Sequence, residues 1–232
     1  MKSAVLAIAL SGVLLMQATA PLRAQFDHLV VAIRSLPEGV AEFERATGVK
    51  PTIGGKHPGR GTENALVSLG DGKYLEIIAP QEGAQLSPMD EGMRKIDTLH
   101  IIGWAVSVSD VGAAVAALKQ ANVPATSPQP GSRVTPAGSR LEWTTLGLAD
   151  RTIAMAPFFI NWSASTQHPS TTAPGGCSLG ALTITDATSD RLAAAMKALA
   201  VDGVTYAKGA PRIDATIACG SKTLTLTTPS LQ

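Results

Sequence analysis

One order of elements, a strand, a helix and then three strands, runs through this 232-residue chain more than once, and that repeat limits the folds open to it. Residues 27–33 (DHLVVAI) form a β-branched run and read as a strand. Residues 37–46 follow with Val40, Phe43 and Ala46 at helical spacing, with Pro37 in the first turn and Gly48 at the exit. Residues 49–53 are a short edge-like strand, and residues 54–61 a loop rich in Gly and Pro. Residues 62–69 and 74–79 are strands joined by the tight Gly70-Asp71-Gly72 turn.

The order recurs. Residues 101–108 read as a strand and 111–121 as a helix, with Val111, Val115 and Leu118 on one face. A Pro- and Gly-rich loop follows Val123, and residues 140–146 and 153–162 read as a closing hairpin. A compact third copy has a strand at 179–185, a helix at 189–200 and strands at 203–206, 212–218 and 222–227. One such unit covers one sheet face with its helix and leaves the other bare. Two units can pack into a curved sheet around a cleft, with inward residues alternating along each strand. The expected fold is therefore α+β: two βαβββ modules over residues 25–166, a linker at 167–178, and a more divergent third module at 179–232. The third has no internal partner, so it would pack on the flank of the others or pair with a second chain as a homodimer.

Residues 1–24 read as a secretory signal peptide. Lys2 precedes an apolar core at 4–16, and small mixed residues fill 17–24. That core is shorter than the roughly 20 residues that cross a bilayer as a helix. Cleavage after Ala24 is preferred, because a cut after Ala18-Thr19-Ala20 would be followed by Pro21. An uncleaved anchor is the alternative. The expected location is the periplasm or the extracellular space, with no later segment long enough to span a membrane. A net charge of +1 without a basic block argues against nucleic acid. In an oxidising compartment Cys177 and Cys219 form a candidate disulfide, with two separate buried thiols as the alternative.

Three stretches then resemble the glyoxalase-like domain, a branch of the vicinal oxygen chelate superfamily. They are Asp27-His28-Leu29-Val30-Val31-Ala32; His57-Pro58-Gly59-Arg60-Gly61-Thr62 with Asn64-Ala65-Leu66; and Leu69-Gly70-Asp71-Gly72 with Tyr74-Leu75-Glu76-Ile77-Ile78-Ala79-Pro80. Trp104 with Asp110, and Pro157 to Trp162 with His168-Pro169, are similar too. The resemblance implies paired βαβββ modules and, in the superfamily's enzymes, a divalent metal held by His and Glu from strands. Carried over, the first strand offers His28 and the fourth Glu76. Asn161 falls where the second module would supply a carboxylate, Ile102 falls where it would supply a second His, and His100 stands two residues away.

His28 and Glu76 are the candidate metal ligands and catalytic residues. Imidazole and carboxylate suit a divalent ion, although a catalytic site needs about three protein ligands. A structural His28–Glu76 hydrogen bond, or a general base with its orienter, is the metal-free alternative. His57 and Arg60 could cradle an anion, since Arg bonds carboxylates bidentately; a solvated surface turn is the plain alternative. Asn64 shares a strand face with Thr62 and Leu66, and Tyr74 shares one with Glu76. Trp104 and Trp162 are packing residues that would also wall a pocket. His168 reads as a linker residue. Three functions stay open: a metal-dependent lyase, isomerase or dioxygenase; a metal-free binder of a small, anionic molecule; and a structural or interaction module with a vestigial cleft.

Overall fold

The structure, a computed structural model, describes residues 22–229. Most of the expected signal peptide lies outside the described residues. The described part of that segment is built into the sheet: Arg23 N–H donates to Ser109 Oγ at 2.9 Å, and Ser109 N–H donates back to the Arg23 carbonyl at 2.9 Å.

Two strands form the spine, β1 (Ala24–Ala32) and β5 (His100–Val108), paired antiparallel. Beyond β1 lie β4 (Lys73–Pro80), β3 (Thr62–Gly70) and β2 (Thr52–His57). Beyond β5 lie β8 (Phe158–Trp162), β7 (Arg140–Leu146) and β6 (Gln129–Val134). The order β2-β3-β4-β1-β5-β8-β7-β6 runs outward in the same way on both sides of the spine, and β1–β4 and β5–β8 are both parallel. The sheet curves until its two edges meet: a Cβ on Gly55 of β2 would lie 2.6 Å from the Val134 carbonyl of β6.

Helix α1 (Leu36–Thr47) takes Pro37 in its first turn, and α2 (Val111–Gln120) is capped by Asp110, whose side chain accepts from Ala113 N–H at 2.8 Å. Gly48 ends α1 at φ 79°, where an L side chain would be strained, and its N–H bonds the Glu44 carbonyl. Alternation along β1 sends Leu29, Val31 and Ile33 into the core that holds Phe43 and Trp104, all fully buried. Each such side chain contributes about 1.5–3 kcal/mol by leaving water. His28, Val30 and Ala32 face the concave side, where Val30, Ala32, Ile78 and Met93 form a smaller apolar cluster.

The third unit builds its own sheet from β9 (Cys177–Thr185), β10 (Thr205–Ala207), β11 (Arg212–Cys219) and β12 (Lys222–Thr227), with α4 (Ser189–Ala198). Its order along the chain matches the first two, but its sheet runs β10-β9-β11-β12. Its Leu182, Ile184, Leu192 and Ile217 join the same core as Leu29 and Phe43, so the two sheets share one apolar interior. Cys177 and Cys219 face each other across β9 and β11 and are disulfide-bonded.

Three segments differ from the sequence expectation. The Gly54–Gly61 loop is strand as far as His57, because the register shift between Ile53 and Gly55 absorbs the two glycines and keeps the β2–β3 ladder. The loop after Val123 contains β6, an edge strand, where Pro130 removes no essential ladder bond. The last strand of the second unit begins at Phe158 rather than at Ile153.

Candidate functional site

The polar residues of the concave face form one connected chain. A bulge between Phe26 and His28 re-aims Asp27, which strict alternation would send away from His28. Asp27 is buried, and its Oδ1 meets His28 Nδ1 at 2.6 Å. Its Oδ2 accepts from Trp162 Nε1 at 3.1 Å and meets His168 Nε2 at 3.2 Å. His28 Nε2 faces Glu76 Oε2 at 3.9 Å. Glu76 Oε1 accepts from Asn64 Nδ2 at 2.5 Å and lies 3.4 Å from His57 Nε2, whose Nδ1 pairs with Thr62 Oγ1 at 2.9 Å. The path runs from His168 through Asp27, His28, Glu76 and His57 to Thr62.

Rings pack along this path. Tyr74 stacks on His28 with centroids 4.4 Å apart, and Phe158 meets His28 edge-on at 5.3 Å. His168 meets Tyr74 at 5.6 Å and Trp162 at 5.2 Å, and Trp143 meets Trp162 at 5.5 Å. Asp27, His28, Asn64 and Tyr74 are buried, whereas the side chains of Glu76 and His57 keep 12% of their surface and that of His168 keeps 22%. Solvent therefore reaches the path at Glu76, His57 and His168.

Electrostatics fix both carboxylates as anions. Burial opposes the ionisation of Asp27, but hydrogen bonds from His168 and His28 outweigh it and hold the carboxyl at about 2. For Glu76 burial again opposes ionisation, and the hydrogen bond and charge of His57, then His28 and Asn64, lower it well below the ordinary carboxylate range. Burial, with the charges of Asp27 and Glu76, pushes the Tyr74 phenol well up, so it stays neutral.

The residues expected to bind split into three groups. His28, Glu76, Asn64, Tyr74, His57 and Trp162 converge. Arg60 does not join them: its guanidinium bonds Asp90 at 2.6 and 3.1 Å, and Asp90 also takes the Ser87 hydroxyl. The fork expected to cradle an anion is thus filled by the protein itself. Asn161 donates to the Val108 carbonyl at 2.7 Å, and His100 pairs with Thr98 and with the Thr227 carbonyl, so neither enters the path. Trp104 is buried in the core, donates to the Met155 carbonyl, and lines a groove of about 490 Å³ with Met89, Ile102 and Phe158, the ring that meets His28 edge-on. Asp27, His168 and Arg133 are functional candidates the sequence reading missed. The Asp27-His28 dipeptide was the one signal on offer, while His168 lies in a segment read as linker and Arg133 in one read as loop.

The donor set does not fit the metal that the resemblance implies. Among the described residues no group of three or more His, Cys, Asp and Glu side chains is arranged around one ion position. The two imidazoles address different oxygens of Glu76, and the Asn64 amide N–H is aimed at the oxygen a cation would share.

A curved eight-stranded sheet built from two equivalent halves, with an imidazole and a carboxylate on its concave face, defines a protein of the vicinal oxygen chelate class. A family model for the glyoxalase-like domain matches residues 26–200, and this chain belongs to that family. A hypothetical protein from Staphylococcus aureus, 15% identical, aligns over 90% of this chain and 87% of its own with a TM-score of 0.56, which supports a common fold. Methylmalonyl-CoA epimerase from Mycobacterium tuberculosis aligns over 60% of this chain and 87% of its own, at 18% identity and TM-score 0.42. A Streptomyces coelicolor methylmalonyl-CoA epimerase in complex with 2-nitronate-propionyl-CoA aligns over 63% of this chain and 99% of its own, at 17% identity and TM-score 0.42. A search of curated proteins found no match.

Proposed function

We propose that this chain is an exported glyoxalase-like protein that binds a small anionic molecule at the His28–Glu76 site through hydrogen bonds rather than through a metal ion. The observation that carries this reading is the state of Glu76. Its Oε1 is taken by Asn64 and His57, while His28, oriented by Asp27, approaches Oε2 without closing on it. Three imidazoles and the Arg133 guanidinium stand against two carboxylates, so the site offers N–H donors to an anion. The carboxylates orient the rings and keep Nε2 of His28 and of His57 turned toward the accessible centre.

Export is part of the proposal. The order of charge, apolar core and small residues at the N-terminus supports it, and so does the Cys177–Cys219 disulfide. Outside the cytosol reduced thiols are scarce, which argues for a ligand other than a glutathione adduct. The domain division and the cleavage after Ala24 belong to the same proposal.

Elemental analysis of the purified protein tests the metal-free part. The expected result is no stoichiometric divalent metal, and the same low content in His28→Gln. One metal per chain in the wild type, lost in His28→Gln, would overturn it and restore a metal-dependent lyase, isomerase or dioxygenase.

A further inference from the structure

Arg133, on the edge strand β6, is 4% exposed. Every other arginine given an ion pair here is far more exposed: Arg34, Arg60, Arg94, Arg140, Arg191 and Arg212 each meet a carboxylate with 45–62% of their side-chain surface in solvent. Arg133 meets none among the described residues. Its hydrogen bond there runs from Nη1 to the Gly54 carbonyl of β2. A guanidinium carries five N–H donors in a planar fork and stays charged when buried. A buried cation without a counter-ion is costly, and proteins keep one where something else completes it.

Its place in the fold says what that is. Arg133 stands where the two sheet edges meet, above Gly54 and Gly55; a Cβ on Gly55 would lie 3.5 Å from its Nη1. Bare glycine backbone thus leaves room for the fork at the seam, against the Gly54 carbonyl. Glu76 and Tyr74 lie within its electrostatic reach, but Glu76 makes no ion pair with it, and Asn64 and His57 take Glu76 Oε1. Burial lowers the Arg133 pKa, as expected for a cation that lacks a partner.

We infer that Arg133 is the anion-receiving residue of the concave site, where its guanidinium takes the carboxylate of a small organic acid bidentately. The inference rests on the ligand-binding reading above and names its ligand class. Two N–H groups of the fork match the two oxygens of a carboxylate, and the rest of the acid then lies toward His57 and Glu76.

The test compares thermal midpoints of wild type, Arg133→Met, Arg133→Lys and Arg60→Met. Probes are propionate, succinate and lactate, with propionamide as the uncharged match and inorganic phosphate as the other oxyanion. The carboxylates raise the midpoint of wild type and of Arg60→Met, the amide does not, and Arg133→Met loses the shift. Arg133→Lys keeps the charge without the fork and loses most of it. Equal shifts from propionamide or a larger one from phosphate would overturn the inference. So would a shift that survives in Arg133→Met, or no carboxylate shift in wild type. One arm needs no ligand. Removing an uncompensated buried cation raises the unliganded midpoint in Arg133→Met, whereas a fall would make Arg133 a structural clasp on Gly54. That fall would sink the Arg133 assignment alone, while a carboxylate shift lost in His28→Gln would still uphold the site.

Discussion

At Asp27 one buried carboxylate meets three side chains, one adjacent and two distant in the chain: His28 beside it, Trp162 on β8, and His168 before the short α3 (Pro169–Thr172). Removing its charge leaves those side chains facing a neutral group. Asp27→Asn is expected to cost ~3 kcal/mol at neutral pH, the scale of breaking a buried pair. The folded pKa, about 2, is below the unfolded value. The charge therefore stabilises fully above about pH 4, and that contribution is lost as pH falls through the folded pKa. Urea unfolding of both proteins between pH 7 and pH 2 should show the difference shrinking toward the acid end. A difference that grows on acidification would contradict the assignment. His28 and Glu76 were reached through the resemblance, and Asn64 and Tyr74 through alternation along β3 and β4. Asp27 was not, since the bulge that turns it toward His28 leaves no mark in residue pattern.

At the scale of elements, the β2–β6 seam and the third sheet carry the sharpest tests. Gly55 has φ 132°, and its missing Cβ leaves room for the Val134 backbone. Gly55→Ala should destabilise by ~1–3 kcal/mol through overpacking and strain, and weaken carboxylate binding more than it weakens the fold, because it displaces β6 and Arg133. Denaturant midpoints beside ligand-shift measurements check both effects. The disulfide closes a span of 42 residues, and replacing both cysteines by serine should cost ~2–4 kcal/mol. Calorimetry of the double variant would show that loss, and an unchanged midpoint would mean that β9–β11 pairing alone holds the unit. Strands with β-branched alternation and helices with capped ends were legible. β6 and the end of β2 were not, because Gly-Gly and Pro-Gly read as loop when the neighbouring strand that pairs them is out of view. Arg133 was lost with its strand.

For the whole molecule, the repeat predicted a curved sheet from the first two units, without its β6 strand, and the third unit only in part. Its elements come in the expected order, yet β9 pairs between β10 and β11, and its apolar face completes a core that the first two units share. The third sheet thus packs within the chain, and a homodimer stays a proposal that sedimentation would test. In the proposed reading a chain of imidazoles and carboxylates takes the place of the metal that the resemblance implies, and the same resemblance puts Asn161 and Ile102 where the second module's ligands would stand. The most direct test of that account is the thermal midpoint of chelator-treated protein titrated with small carboxylates, wild type beside His28→Gln. A rise in the metal-free wild type that is absent from His28→Gln is the predicted result. A rise that appears only after a divalent ion is added back, or that persists in His28→Gln, would contradict it.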